Sequence, residues 1–255
     1  MKKINLMLII FSFVLFESLE VNAEESTYSK TGEIEFIPGD SVRPPIDPVD
    51  PDPDQPVDPW DPTSPDGKPA PGTQGPLSID YASSFDFGTN EIDNKDRIYY
   101  ANPQYYFDTQ VGEINKKIFT PNYVQVSDMR GTNTGWRLTV KQLYQFRNDE
   151  TKNSELIGAQ VKLNDSEAIS YIEQTDQTPL SGDVSIVPGE SFVVMQANKG
   201  AGAQTWINRW SKVETIPSGE VKNTSVQLFI PGSTPKDAVT YKTEFIWTLS
   251  DSPAN

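Results

Sequence analysis

The sequence predicts an all-β fold: a two-sheet sandwich or barrel-like domain with an added N-terminal strand, preceded by a Pro/Asp-rich linker. Three observations carry that expectation. Short runs of alternating apolar and polar residues recur along the C-terminal two thirds of the chain, as half-buried strands require. Turn pairs such as Pro188-Gly189, Ser218-Gly219 and Pro231-Gly232 punctuate them. No strand-helix-strand rhythm suggests a parallel sheet.

Taken in order, the chain of 255 residues opens with Lys2 and Lys3, an apolar run from Ile4 to Phe16, and small residues at Val21-Asn22-Ala23. This is the pattern of a signal peptide over residues 1–23, with a mature chain expected from Glu24. The apolar run is shorter than the ~20 residues a bilayer span needs, and no later stretch is long and apolar enough, so no membrane span is expected. In residues 29–37, Ile34 and Phe36 alternate with Glu33 and Glu35. That predicts one strand packing on the distant domain, because a lone amphipathic strand has nowhere to bury its apolar side.

Residues 38–76 hold most of the chain's 21 prolines, with Asp-Pro recurring at Asp47, Asp50, Asp52, Asp58 and Asp61. Proline fixes the backbone and like charges repel, which predicts a disordered, stiff, solvated acidic linker, with Trp60 incidental to it. The globular part is expected over 77–255. Its predicted strands are 77–81, 97–101, 122–128, 136–145, 157–164, 184–187, 191–196, 204–206, 221–230 and 239–249, with a helical turn only at 167–174.

Bulk chemistry narrows the function. The chain has no cysteine, so neither disulfides nor thiolate metal sites exist, and no histidine, which removes the commonest general base and the usual zinc and copper ligands. Carboxylates such as Asp93, Asp96, Asp149, Glu150 and Glu155 are scattered in polar loops without the pairing a glycosidase needs. No catalytic residue, metal site or cofactor is therefore expected, and the protein reads as a non-enzyme. A formal charge of −15 argues against nucleic acid or other polyanions as partners bound by bulk attraction.

The most informative stretches are two. Gly135-Trp136-Arg137-Leu138-Thr139-Val140 places Trp136, Leu138 and Val140 on one strand face, and Phe245-Ile246-Trp247-Thr248-Leu249 repeats the Trp-x-Leu triplet near the C-terminus. The repeat predicts that the two strands lie close, with both tryptophans on one side of one sheet. In these contexts and this order the chain resembles the WxL domain family of Gram-positive cell-wall-associated surface proteins. Gly75-Pro76-Leu77, Phe85-Asp86-Phe87-Gly88, Val124 to Gly131 and Leu228-Phe229-Ile230-Pro231-Gly232 fit the same pattern.

The resemblance implies a secreted protein at the cell surface, attached non-covalently to the wall through peptidoglycan or another wall glycan. The alternative it leaves open is a structural or adhesive subunit that binds other surface proteins, a membrane-anchored partner or a host matrix protein. The C-terminus carries neither a sortase-type Leu-Pro-x-Thr-Gly signal nor a hydrophobic tail, so retention by binding is the expectation.

For Trp136, Leu138, Trp247 and Leu249 two readings stand side by side: core side chains, or a platform on which a sugar ring stacks. Trp206 and Trp210, read as following a glycine-rich turn, are secondary binding candidates because loops carry binding residues. The cluster Tyr99, Tyr100, Tyr105, Tyr106 and Phe107 is a third surface.

Overall fold

A computed structural model describes residues 25–108, 116–172 and 175–251, and the segment read as a signal peptide lies outside them. The chain divides into two units, one ending at Phe36 and one beginning at Ile37. In the first, residues 25–36 are extended and exposed and contain no strand ladder. The strand expected over 29–37 is not assigned there: alternation supplies a face but does not by itself make a ladder.

The second unit is all-β, with antiparallel sheets and no closed barrel. Its strands are shared among three sheets and a hairpin. The first sheet runs in the order β1 (Leu77–Ala82), β5 (Tyr123–Asp128), β12 (Gln204–Trp210), β8 (Ser166–Ile169). The second places β14 (Val221–Ile230) between β7 (Gln160–Leu163) on one side and β13 (Val213–Thr215) and β2 (Arg97–Ala101) on the other, with β10 (Val184–Ser185) beyond β7. The third orders β15 (Phe245–Ser250), β6 (Trp136–Gln142), β11 (Ser191–Ala197), β9 (Leu180–Ser181). A two-stranded hairpin pairs β3 (Gln104–Phe107) with β4 (Lys117–Thr120). The helical turn expected at 167–174 is replaced by β8, and the short 3₁₀ turn Thr175–Gln177 follows it.

One apolar cluster draws on all three sheets: Val124, Val126 and Trp206 from the first, Val161, Leu163 and Val226 from the second, Trp136, Leu138 and Met195 from the third. The first sheet is buried on both faces, which is why every residue of β5 is buried. Its outer face carries a smaller core of Tyr81, Tyr123 and Ile207, closed by Ile46 from the proline-rich segment. A β-bulge between Ile79 and Tyr81 turns the Tyr81 ring to that side.

The segment expected to be a disordered solvated linker is therefore seated on the domain in part. The Ile46 amide donates to Gln125 Oε1 at 2.9 Å, Gln125 Nε2 donates to the Pro44 carbonyl at 3.1 Å, and Arg209 Nη1 donates to the Pro48 carbonyl at 2.7 Å. Proline keeps such a segment out of a ladder but leaves its carbonyls free to accept side-chain donors. The polar outer face of the first sheet supplies those donors.

Candidate functional site

The two Trp-x-Leu strands are hydrogen-bonded neighbours. β15 pairs antiparallel with β6, setting Leu249 opposite Leu138 and Trp247 opposite Val140. Opposed residues share a sheet face, so both tryptophans lie on the inner side, as the repeated triplet predicts.

Their environments differ. Trp136 and Leu138 are fully buried, and Trp136 Nε1 donates to the Gly202 carbonyl at 2.9 Å. The backbone before it admits only glycine comfortably: Gly135 has φ +81°, and a Cβ there would sit 2.4 Å from the Ala197 carbonyl oxygen. Trp247 and Leu249 are half-buried against the core. The Trp247 ring lies 6.0 Å from Trp210, which meets Phe85 edge-on at 5.4 Å, and Phe85 meets Phe245 at 5.3 Å. The Trp136 ring is a core side chain, 0% exposed.

Trp206 and Trp210 are not surface residues. They are 2% and 0% exposed, and Trp206 Nε1 donates to the Ala203 carbonyl at 2.8 Å. The sequence reading ended the strand at 206, which left Trp210 in a loop. The strand instead continues to Trp210, and residues four apart share a face, so both rings enter the core.

A group of partly exposed aromatic rings gathers at the β3–β4 hairpin. Tyr105 and Phe107 lie on one face of β3, with Phe119 opposite Tyr105 on β4. Trp60 joins them: its ring is offset-stacked on Tyr105, with centroids 6.5 Å apart and planes 18° apart, and meets Phe107 edge-on at 5.6 Å. Phe119 is 46% exposed and Trp60 36%. Lys117 Nζ stands 4.0 Å over the Tyr105 ring.

Trp60 is held rather than incidental. Its amide donates to the Tyr105 carbonyl at 2.9 Å, its carbonyl accepts from Gln104 Nε2 at 2.8 Å, and Gln104 Oε1 accepts from the Tyr81 hydroxyl at 2.7 Å. The following loop folds back so that the Asp61 amide donates to the Gly67 carbonyl at 2.8 Å. Gly67 lies so near the indole that a Cβ would come within 2.3 Å of it, at φ +72°. Tyr106, on the opposite face of β3, donates from its hydroxyl to Asp47 at 2.7 Å. Burial first, and then that carboxylate, push its pKa well up. Sequence pattern marked Tyr105 and Phe107 as candidates. It reads Trp60 as incidental and does not single out Phe119, because the partners of both are distant in the chain.

Several carboxylates are engaged in hydrogen bonds and ion pairs. Asp80 is buried, accepting from Ser78 and Ser127 hydroxyls at 2.6 Å each and from Gln125 Nε2 at 3.0 Å, and its burial outweighs these bonds to raise its pKa. Asp93 is bound to Arg97, whose hydrogen bond lowers its pKa, and Asp149 pairs with Arg147 at 3.1 Å. Among the described residues no group of three or more acidic side chains could hold a metal ion. No helix among them is long and apolar enough to cross a membrane.

The two Trp-x-Leu strands are thus neighbours inside an all-β domain that exposes a braced aromatic surface. Comparison with family models gives this domain its class. The chain belongs to the WxL family, described as the WxL domain, surface cell wall-binding, whose model matches residues 23–253. It is accordingly a cell-surface domain of a wall-binding family. The match takes in the proline-rich segment along with the sheets, in keeping with the packing of Ile46 and Trp60. No curated protein and no solved structure shows significant similarity to the chain.

Proposed function

We propose that the protein is exported, with residues 1–23 as its leader, and attaches non-covalently to peptidoglycan of a Gram-positive wall through the aromatic surface of Trp60, Tyr105, Phe107 and Phe119. The observation that carries this reading is a cluster of partly exposed rings held in place by backbone hydrogen bonds. Rings fixed before binding lose little entropy when a pyranose CH face packs on them. Lys117 adds a donor that can meet a carboxylate of the wall peptide. The Trp-x-Leu strands then serve as the frame of the domain, with Trp136 and Leu138 acting through stability and Trp247 and Leu249 bordering the core. Attachment without catalysis fits a family whose description is binding.

The test is co-sedimentation of the exported chain with peptidoglycan stripped of protein and of anionic polymers. The wild type should pellet. A Trp60→Ala/Phe119→Ala double variant with unchanged circular dichroism should lose affinity by roughly tenfold or more, in line with the loss of two ring contacts. Wild-type protein remaining in the supernatant would overturn the reading, and undiminished binding by the double variant would remove the site.

A further inference from the structure

The stretch Phe85-Asp86-Phe87-Gly88 takes no part in the aromatic surface, yet its carboxylate closes a line of three polar side chains elsewhere. Lys222, near the start of β14, is 9% exposed, and its Nζ donates to Asn102 Oδ1 at 2.7 Å. Asn102 Nδ2 donates in turn to Asp86 Oδ2 at 2.8 Å. An amine, a carboxamide and a carboxylate thus stand in series at the second sheet. A second carboxylate, that of the exposed Glu220, brings Oε1 to 3.5 Å from Nζ.

The sheet explains how they meet. β14 pairs antiparallel with β2, with Asn223 opposite Ala101, so the next step of the register sets Lys222 opposite Asn102. Opposed residues of antiparallel strands share a face, with Cβ atoms ~5 Å apart. Asp86 is brought up by backbone bonds. The Asn102 amide donates to the Asp86 carbonyl at 2.7 Å, and the Gly88 amide donates to Asp86 Oδ1 at 2.8 Å, which makes an Asx turn. Phe87, inside that turn, is anchored in the apolar core. Gly88 has φ +72°, and a Cβ there would stand 3.5 Å from Lys222 Nζ and 3.7 Å from Asn102 Nδ2, so the turn walls the pair on that side.

A lysine held against a carboxamide in this way is placed for more than a hydrogen bond. The Asn102 carbonyl bond is ~1.23 Å long, so Nζ lies at most about 3.9 Å from Cγ, close to the ~3–3.5 Å from which attack begins. The carboxamide is also oriented for it, with the cation at its oxygen and a carboxylate at its nitrogen.

We propose that Lys222 and Asn102 join in an intramolecular isopeptide bond, with Glu220 and Asp86 moving the protons. Glu220 takes one proton from the ammonium, and the freed Nζ lone pair adds to Cγ. The tetrahedral adduct collapses by breaking the Cγ–Nδ2 bond, while Asp86 relays a second proton from Nζ to the departing nitrogen. The proton held by Glu220 then converts the ammonia to ammonium. Nζ loses two protons and Nδ2 gains two, so an ammonium and a carboxamide become a secondary amide and an ammonium ion. In a chain without cysteine, the bond would tie residues 120 apart and restrict the unfolded chain as a disulfide does.

The experiment is mass spectrometry of the purified full chain, intact and after proteolysis. The wild type should weigh one ammonia less than its sequence and yield a branched peptide joining Lys222 to Asn102. In denaturing electrophoresis it should run ahead of Lys222→Arg, which should have its full sequence mass and no branch. Asp86→Asn, which leaves an acceptor for the Gly88 amide, should lower the linked fraction by roughly tenfold or more. Wild-type protein of full sequence mass with no branched peptide would overturn the proposal, whether or not either variant folds. A linked fraction undiminished in Asp86→Asn would overturn the proton relay.

Discussion

Residues decide this molecule by where they are buried more than by what they are. Three of its tryptophans, Trp136, Trp206 and Trp210, are spent on the core, and the aromatic surface depends on Trp60, pinned by Gln104 and the Gly67 turn. Asp80 shows the same principle for charge. Its folded pKa lies above the ordinary 3.8 because desolvation outweighs its hydrogen bonds. Below that ordinary value both folded and unfolded chains hold the proton, and Asp80 costs nothing. As pH rises through the interval between the two pKa values the unfolded chain releases its proton first, so stability falls, and the cost is complete above the folded value. Asp93, Asp165 and Asp237 shift the opposite way, and their contribution is gained as pH rises from the folded value to 3.8 and is complete above it. An Asp80→Asn variant keeps those three and removes only the Asp80 titration. Its melting temperature relative to wild type should therefore rise as pH is raised above 3.8. A difference that stays flat with pH would show that Asp80 ionises normally in the folded chain.

At the scale of elements, what was legible was what repeats locally. The strands 97–101 and 221–230 agree with alternation to the residue, and the pairing of β6 with β15 was signalled by the repeated Trp-x-Leu. What was not legible depended on partners far off in sequence. β3 and β4 sit in runs such as Gln-Tyr-Tyr-Phe and Lys-Ile-Phe-Thr whose alternation is too short to stand out. β8 reads as helix-tolerant until β12 pairs with it. The proline-rich segment has the composition of a solvated linker, and only the outward-facing donors of the first sheet, Gln125 and Arg209, turn it into a cover. That cover has a measurable weight. Ile46 is 2% exposed over Tyr81, Tyr123 and Ile207, so Ile46→Asp should cost about 3 kcal/mol, from lost apolar burial and an unpaired buried charge. Urea denaturation would measure it, and a loss near zero would mean that the segment lies loosely on the sheet.

For the molecule as a whole, charge sets the terms on which it meets a wall. A net charge of −15 repels any anionic polymer, and the repulsion is screened beyond ~8 Å at physiological salt. Contacts made by Trp60, Tyr105 and Phe119 are short-ranged and respond little to ionic strength, while Lys117 contributes one cation among them. The two contributions separate in a salt titration. If rings carry the attachment, the fraction of protein sedimenting with stripped peptidoglycan should hold steady or increase as sodium chloride is raised from roughly 0.05 to 0.5 M, because salt weakens the long-range repulsion first. On intact walls, where phosphate polymers add negative charge, the increase should be steeper. Binding that collapses over that range on both substrates would instead place the attachment in ion pairs, and would move the contact surface to the basic outer face of β6, where Arg137 and Lys141 stand without acidic partners among the described residues.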